Sequence, residues 1–291
     1  MEPAEASVWR SATPNWLSGL TTFLFTPGSS EKLLAKALRS PADAVVIDWE
    51  DAVRSDEKAK ARELTSRVLS EPQSFQGPCL VRVNAVDTPD HDADIAALAD
   101  VEPDAIVLPK ASVCALDSLH DNGLPVIAIV ETAIGLQDVE RIANHRLVQA
   151  VAFGAVDFAA ELGIVPSANG LEFLYARSRI VVASVAAGLR SPIDTAYVDL
   201  VGFEGLEREA KFAKSQGFGA KFCIHPGQLD IVARAFRPSE KDLEWALQVL
   251  EHLPPQHNGG VFRAGDTMAD GPVLTRAQRI LQQWRSSSDR G

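Results

Sequence analysis

A TIM (β/α)8 barrel with a C-terminal helical lid or arm is the α/β fold this sequence predicts, on three observations. Eight short β-branched runs alternate with stretches of helical period from residue 22 onward. Most of these runs are apolar throughout, as burial on both faces of a parallel sheet demands. The first run is followed by Thr26-Pro27-Gly28-Ser29-Ser30 rather than by a Gly-x-Gly-x-x-Gly turn, which removes the main support for an open dinucleotide-binding sheet.

In chain order, the Thr- and Phe-rich run 22–26 is the first strand, and the periodic segment 30–39 is its helix. The aliphatic run 44–49 follows, then a helix over 56–69 that Asp51 or Asp56 can cap. Strand 79–84 leads to helix 91–99, strand 105–109 to helix 112–119, and strand 126–131 to helix 136–143. Strand 148–153 is followed by a long helix at 170–187, strand 193–198 by helix 203–216, and strand 220–224 by helix 226–235. The βα rhythm then stops. A helix over 239–250, the turn-rich Pro-Pro-Gln-His-Asn-Gly-Gly at 254–260 and a helix over 273–284 remain. The expected organisation is a flexible arm at 1–20, a catalytic barrel at 21–238 and a lid or oligomerisation segment at 239–291, frayed after 284.

Among the 291 residues, 46% are hydrophobic and 23% charged, which excludes a disordered or fibrous chain. The 39 acidic residues exceed the 28 basic ones, for a net charge of -11, and the basic residues form no stripe, so no nucleic-acid partner is expected. Apolar runs such as 126–130 fall far short of the roughly 20 residues of a bilayer span, so no membrane association is expected. The start, with Glu2, Glu5 and Trp9, lacks the pattern of a secretory signal, and a cytoplasmic address is expected. Cys79, Cys114 and Cys223 lie in or beside apolar segments and are expected to be buried free thiols.

In a barrel of this kind the chemistry sits where the strands end. The residues there are Asp48-Trp49-Glu50-Asp51, Arg82-Val83-Asn84, Lys110, Glu131-Thr132, Asp157, and Lys221 with His225. Five converging carboxylates repel one another unless a cation holds them. All the candidate ligands are oxygen donors, which favours Mg2+ or Mn2+ over zinc, and Glu131 with Asp157 on adjacent strands are the expected ligands. Arg82 offers a two-pronged fork for a substrate carboxylate, or pairs internally with Glu50 or Asp51. Glu50 pairs with Lys58 or Arg82 on the structural reading. Lys110 and Lys221 either neutralise the acidic mouth or pair within the barrel wall, and His225 alone is a poor basis for a general base.

Ordered motifs run along nearly the whole chain: Phe25-Thr26-Pro27-Gly28, Asp48-Trp49-Glu50-Asp51-Ala52-Val53 with Lys58 and Arg62, Val81-Arg82-Val83-Asn84 and Leu108-Pro109-Lys110. They continue through Glu131-Thr132-Ala133-Ile134-Gly135, Phe153-Gly154-Ala155-Val156-Asp157-Phe158, Ile193-Asp194-Thr195 and Lys221-Phe222-Cys223-Ile224-His225-Pro226. On these the chain resembles the citrate lyase beta-subunit-like family, the acyl-CoA lyases of the wider HpcH/HpaI aldolase group. The resemblance implies a barrel holding Mg2+ on Glu131 and Asp157, Arg82 at the substrate carboxylate, and Glu50 with Asp51 beside the metal-bound waters. Met268-Ala269-Asp270-Gly271-Pro272 resembles the lid motif of members acting alone on CoA thioesters, which implies Asp270 as the catalytic acid or base and a homo-oligomer, trimer or hexamer. Gly154 is a candidate substrate contact, and Lys32 and Lys36 are candidates for the CoA phosphates. Trp49 replaces the usual Leu, Ile134 the frequent Arg, and Gly265-Asp266-Thr267-Met268 the usual Gly-Lys-Met spacing.

The expected reaction is reversible Claisen-type cleavage of a 3-hydroxy-acyl-CoA, such as malyl-CoA or citramalyl-CoA, to a 2-oxo acid and an acetyl-CoA-type thioester. The alternatives are a metal-dependent pyruvate-type aldolase on free 4-hydroxy-2-oxo acids, a citrate lyase beta subunit acting on a carrier-protein thioester, and a catalytically silent barrel.

Overall fold

The computed structural model describes residues 17–71, 74–119, 123–167, 169–200, 202–254 and 259–288. By contact density the chain divides into two compact units, 1–235 and 236–291. In the first, β1 (Thr22–Pro27), β2 (Ala44–Asp48), β3 (Cys79–Arg82), β4 (Ala105–Leu108), β5 (Val126–Val130), β6 (Val148–Phe153), β7 (Ile193–Asp194) and β8 (Ala220–Cys223) form a closed barrel in sequence order. Every neighbouring pair is parallel, including β8 with β1. The expected TIM barrel is the observed fold.

The helices between the strands are α1 (Glu31–Ala37), α2 (Lys58–Ser70), α3 (His91–Val101), α4 (Val113–Ser118), α5 (Ala133–Gln137), α6 (Val139–Asn144), α7 (Ala155–Leu162), α8 (Leu174–Ala186), α9 (Glu204–Gln216) and α10 (Leu229–Phe236). Ser30 caps α1 and Ser112 caps α4 through their hydroxyls, so both start where the sequence places a cap. Thr132 accepts from the Gly135 amide and starts α5 earlier than the expected 136, and the helix is broken at Asp138.

The interior is filled by Phe23, Val46, Leu80, Val107, Ile129, Ala152, Ile193 and Phe222, one from each strand, with neighbours two residues away along the same faces. Leu17 and Leu20 join this core, so the last residues of the expected flexible arm are packed. Arg190 secures them by donating to the Leu17 and Leu20 carbonyls at 2.9 and 2.7 Å. Residues 1–16 lie outside the described residues.

Three further features differ from expectation. First, β7 has two residues rather than six, because the chain leaves the sheet after Asp194. Second, an unexpected helix, α7, follows β6 directly and ends on Gly163 at φ 67°, in the left-handed region. Its signal was present in the apolar positions 155, 158, 159 and 162 and in that glycine. Third, Cys79 is half-buried and Cys223 buried, burial pushing both thiols up to about 12, whereas Cys114 is exposed, so the expectation of three buried thiols fails at Cys114.

The second unit contains α11 (Glu240–Glu251), the antiparallel hairpin β9 (Phe262–Ala264) with β10 (Thr267–Ala269), and α12 (Gly271–Ser288). Gly265 at φ 58° opens the two-residue turn of the hairpin, which the expectation of a plain turn-rich stretch missed. Ala246, Val249, Ala264, Ala269 and Ala277 form its core. No helix among the described residues is long and apolar enough to cross a membrane.

Candidate active site at the barrel mouth

Strand period places the site. Phe25, Asp48, Arg82, Glu131, Gly154 and Thr195 each stand two residues beyond an interior core residue of the same strand, and so form the next layer up on the inward face. Asp48 and Arg82 face each other in register. The Arg82 Nε and Nη2 donate to the two Asp48 oxygens at 2.8 and 2.6 Å, a bidentate pair. Phe25 lies under the guanidinium, 4.9 Å from ring centroid to Cζ. The Nη1 edge faces the mouth, 2.9 Å from Glu50 Oε2 and 3.6 Å from Asp51. The internal pairing expected with Glu50 or Asp51 is therefore present, but Asp48 is the principal partner. Asp48 is 1% exposed and also accepts from the Glu50 and Ala52 amides, which makes it a structural anchor of the loop.

That loop is held from below. Lys58 donates to the Trp49 and Glu50 carbonyls, both at 2.9 Å, and to Asn84 at 2.5 Å. The expected pairing of the Glu50 side chain with Lys58 does not form, because Lys58 is spent on backbone carbonyls. Asn84 is bound in turn by Asp94, which pairs with Arg62. Trp49 is fully buried, its indole N–H donating to Thr65 at 2.9 Å, and its ring lies so close to Gly28 that a Cβ there would sit 2.8 Å from it.

Glu131 follows the end of β5 and is 3% exposed. One of its oxygens accepts the Lys110 amide at 2.7 Å, which Lys110 presents by adopting φ 45°, the left-handed region. Among the described residues neither Glu131 nor Asp157 has an ion-pair partner. Burial, and then the neighbouring Glu50 charge, push the Glu131 carboxyl up to about 8, with Asp157 raising it further and the Lys110 amide opposing. Glu50, 5% exposed, is pushed up to about 7, first by burial and then by Asp51, against the pull of Arg82 and Lys110. Lys110 Nζ is 3.5 Å from Glu50, so it serves the acidic mouth. Asp157, half-buried, sits in the first turn of α7, where the helix dipole favours a carboxylate.

Glu50, Glu131 and Asp157 thus share one electrostatic neighbourhood at the mouth. Among the described residues no three His, Cys, Asp or Glu side chains converge as a metal cage. The donor set is instead a pair of carboxylates with no ion-pair partner among the described residues, one deeply buried, on which Arg82 and Lys110 act only at longer range. This fits a hard ion such as Mg2+, which takes one or two carboxylates and keeps other positions for water and substrate.

The remaining predicted residues divide. Gly154 lies against Glu131, since a Cβ there would meet Glu131 Oε2 at 2.3 Å. Asp51 is exposed at the rim. Lys32 and Lys36 are exposed on α1. Lys221 is buried in the barrel wall, 2.8 Å from Asp194 and 2.5 Å from Glu209, and does not neutralise the mouth. His225 Nδ1 accepts the Gly227 amide and caps the turn before α10. In the second unit, Asp270 Oδ1 accepts the Val273 amide at 3.1 Å at the start of α12. Sequence reasoning missed Asp48 as the anchor of Arg82, and Thr195, whose hydroxyl accepts the Ala155 amide at 3.0 Å. A cavity of about 410 Å³ opens beside this contact, lined by Ala155, Val156, Thr195 and Tyr197 among others.

The family model described as HpcH/HpaI aldolase/citrate lyase matches residues 21–226. The chain is 32% identical over 279 residues to the citrate lyase subunit beta of Leuconostoc mesenteroides subsp. cremoris, covering 90% of this chain and 92% of that protein. It is 32% identical over 286 residues to the mitochondrial citramalyl-CoA lyase of Rattus norvegicus, covering 89% and 84%. The crystal structure of CitE from Mycobacterium tuberculosis, in complex with magnesium, acetoacetate and coenzyme A, superposes with a TM-score of 0.81 at 34% identity, covering 92% of this chain and 99% of that one.

Proposed function

The chain belongs to the HpcH/HpaI aldolase/citrate lyase family, and from that premise we propose that it is a Mg2+-dependent carbon–carbon lyase. Its substrate is a 3-hydroxy-acyl-CoA such as malyl-CoA or citramalyl-CoA, cleaved, or in reverse formed by Claisen condensation, to an acetyl-CoA-type thioester and a 2-oxo acid. The observation that carries this reading is the buried Glu131 carboxylate, beside Glu50 and Asp157, with no ion-pair partner among the described residues. Support comes from the magnesium and coenzyme A bound in the CitE crystal structure and from the citramalyl-CoA lyase named among the relatives.

Glu131 and Asp157 hold the ion, with Mn2+ an acceptable substitute. When bound there, it supplies Lewis-acid polarisation of the substrate's hydroxyl and carboxylate. The Nη1 edge of Arg82, facing the mouth while Asp48 fixes the rest of the guanidinium, takes the substrate carboxylate. Glu50, pushed up to about 7, is poised to take the hydroxyl proton as the C–C bond breaks and its electron pair enters the thioester enolate. Asp51 extends the acidic rim, and Gly154 leaves room for substrate against Glu131. Asp270 delivers the proton to the enolate carbon in cleavage and removes it in condensation. Lys32 and Lys36 meet the CoA phosphates. The protein acts as a cytoplasmic homo-oligomer, trimer or hexamer, which sedimentation of the purified chain measures.

The test is incubation with Mg2+, acetyl-CoA or propionyl-CoA, and glyoxylate or pyruvate, with mass detection of new CoA esters. A new ester that disappears in Asp157→Ala, and in Asp270→Asn with substrate affinity retained, is the expected result. The match to citrate lyase subunit beta favours a second reading, on a carrier-protein thioester. Condensation or cleavage seen only with the carrier-linked substrate selects it, and cleavage of free 4-hydroxy-2-oxo acids alone selects the aldolase.

A further inference from the structure

The helix that carries Asp157 is held at its start by a residue from a different strand. The N-cap of α7 is Gly154, which has no side chain with which to accept a first-turn amide. Glycine is imposed there by packing. A Cβ at 154 would stand 2.3 Å from Glu131 Oε2 and 2.6 Å from Glu131 Cβ. The proximity that brings Glu131 to the mouth therefore bars a serine, threonine or aspartate cap at this position.

The helix start is instead tied from across the barrel wall, at the first amide rather than at the second or third that an N-cap side chain would take. Thr195, 5% exposed, accepts the Ala155 amide through Oγ1 at 3.0 Å, two residues before Asp157. Thr195 follows β7, which pairs with β6 at a single position, Ala152 with Ile193. Backbone pairing alone leaves so short a strand weakly held. On the opposite face from Thr195, Asp194 accepts from Arg177 Nε of α8 at 3.0 Å and from Lys221 Nζ of β8 at 2.8 Å. Asp194 and Lys221 are fully buried and Arg177 is 2% exposed. Lys221 also binds Glu209 of α9. One buried charge cluster thus ties β7 to a neighbouring strand and two helices.

We propose that Thr195 is a positioning residue for Asp157: it holds the first amide of α7, at a helix start where Gly154 supplies no side-chain cap, and the Asp194–Lys221–Arg177 cluster anchors the strand end from which it does so. The proposal rests on Asp157 being a metal ligand.

Binding of Mn2+ alone to the purified full-length protein, followed by electron paramagnetic resonance without substrate, tests it. Loss of a direct hydrogen-bond partner of a metal ligand weakens metal binding by roughly 10- to 100-fold, and Thr195 acts one step further out, through the Ala155 amide, so the lower end of that range applies. Thr195→Val, which keeps the shape and removes the acceptor, is expected to raise the Mn2+ Kd about 10-fold with an unchanged circular dichroism spectrum. Thr195→Ser, which keeps the hydroxyl, is expected to stay within about twofold of wild type. Thr195→Ala carries the same expectation as the valine variant should that one be insoluble. Wild-type affinity in the variants lacking the hydroxyl overturns the proposal, as does an equal loss in the serine variant. Asp157→Ala separates the two levels. If it binds Mn2+ like wild type, the metal-site reading falls; if it loses binding while Thr195→Val does not, only the positioning role falls.

Discussion

Gly154 and Glu131 occupy one small space, and neither can change without moving the other. Gly154→Ala places a methyl group 2.3 Å from Glu131 Oε2 and 2.6 Å from Glu131 Cβ, with Ile129 at 3.1 Å, so turning the carboxylate does not relieve the clash and the end of β5 must shift as well. The substitution disturbs both the chemistry and the fold, because Glu131 is buried and its Cβ moves only with its backbone. Mn2+ affinity in Gly154→Ala should fall by at least about 10-fold, and urea unfolding should report a loss of about 1–3 kcal/mol. Arg82→Lys probes the neighbouring constraint. An ammonium cannot reproduce the two parallel bonds to Asp48 while also facing Glu50, so kcat/KM should drop by about 10-fold or more, read in steady-state assays of CoA-ester cleavage.

At the level of elements, the loops bearing the chemistry are fixed by buried polar contacts beneath them. The β2 end is held by Lys58 on two carbonyls and by the Trp49 indole on Thr65. Thr65→Val leaves that indole N–H buried without an acceptor, and urea unfolding should report a loss of about 1–3 kcal/mol. The β7 end depends on Asp194, whose carboxyl burial alone would raise but which Lys221 and Arg177 hold below its usual range. Asp194→Ala leaves two cations buried beside each other. The expected cost is about 3–5 kcal/mol in the same measurement, the largest of any single substitution considered. A loss below about 1 kcal/mol would show that water reaches the cluster.

For the molecule as a whole, the acidic mouth makes stability depend on pH. Glu131 is pushed up to about 8 and Glu50 to about 7, against an ordinary value of 4.5, so between these limits the folded state holds protons that the unfolded chain has released. Stability without metal is therefore greatest below about pH 4.5 as far as these two groups contribute, and is lost as pH rises, by up to about 1.4 kcal/mol per pH unit for each carboxyl. In chelator, the urea midpoint should fall from pH 5.5 to pH 8. Mg2+ should restore it most at pH 8, where the ligands need no proton removed, and Glu131→Gln should flatten the slope. A midpoint that rises over this range in chelator contradicts the protonated mouth.

Much of this was legible in the residue order. Continuous apolar runs identify strands buried on both faces, and their alternation with helices closes the barrel, because each βα unit can bury its apolar surface only against its neighbours. The charged residues at the ends of those runs were visible for the same reason, since Asp48, Arg82 and Glu131 extend a two-residue period. Local pattern was a poorer guide to α7, to the two-residue β7 and to the role of Lys221. Which partner each charged group takes is settled by register and by the faces that closure sets opposite one another. Lys221 and Asp194 alternate onto the outer face, toward α8 and α9, whereas Thr195 turns inward to α7. Such choices follow from contacts between residues far apart in the chain, which side-chain periodicity within one segment does not encode.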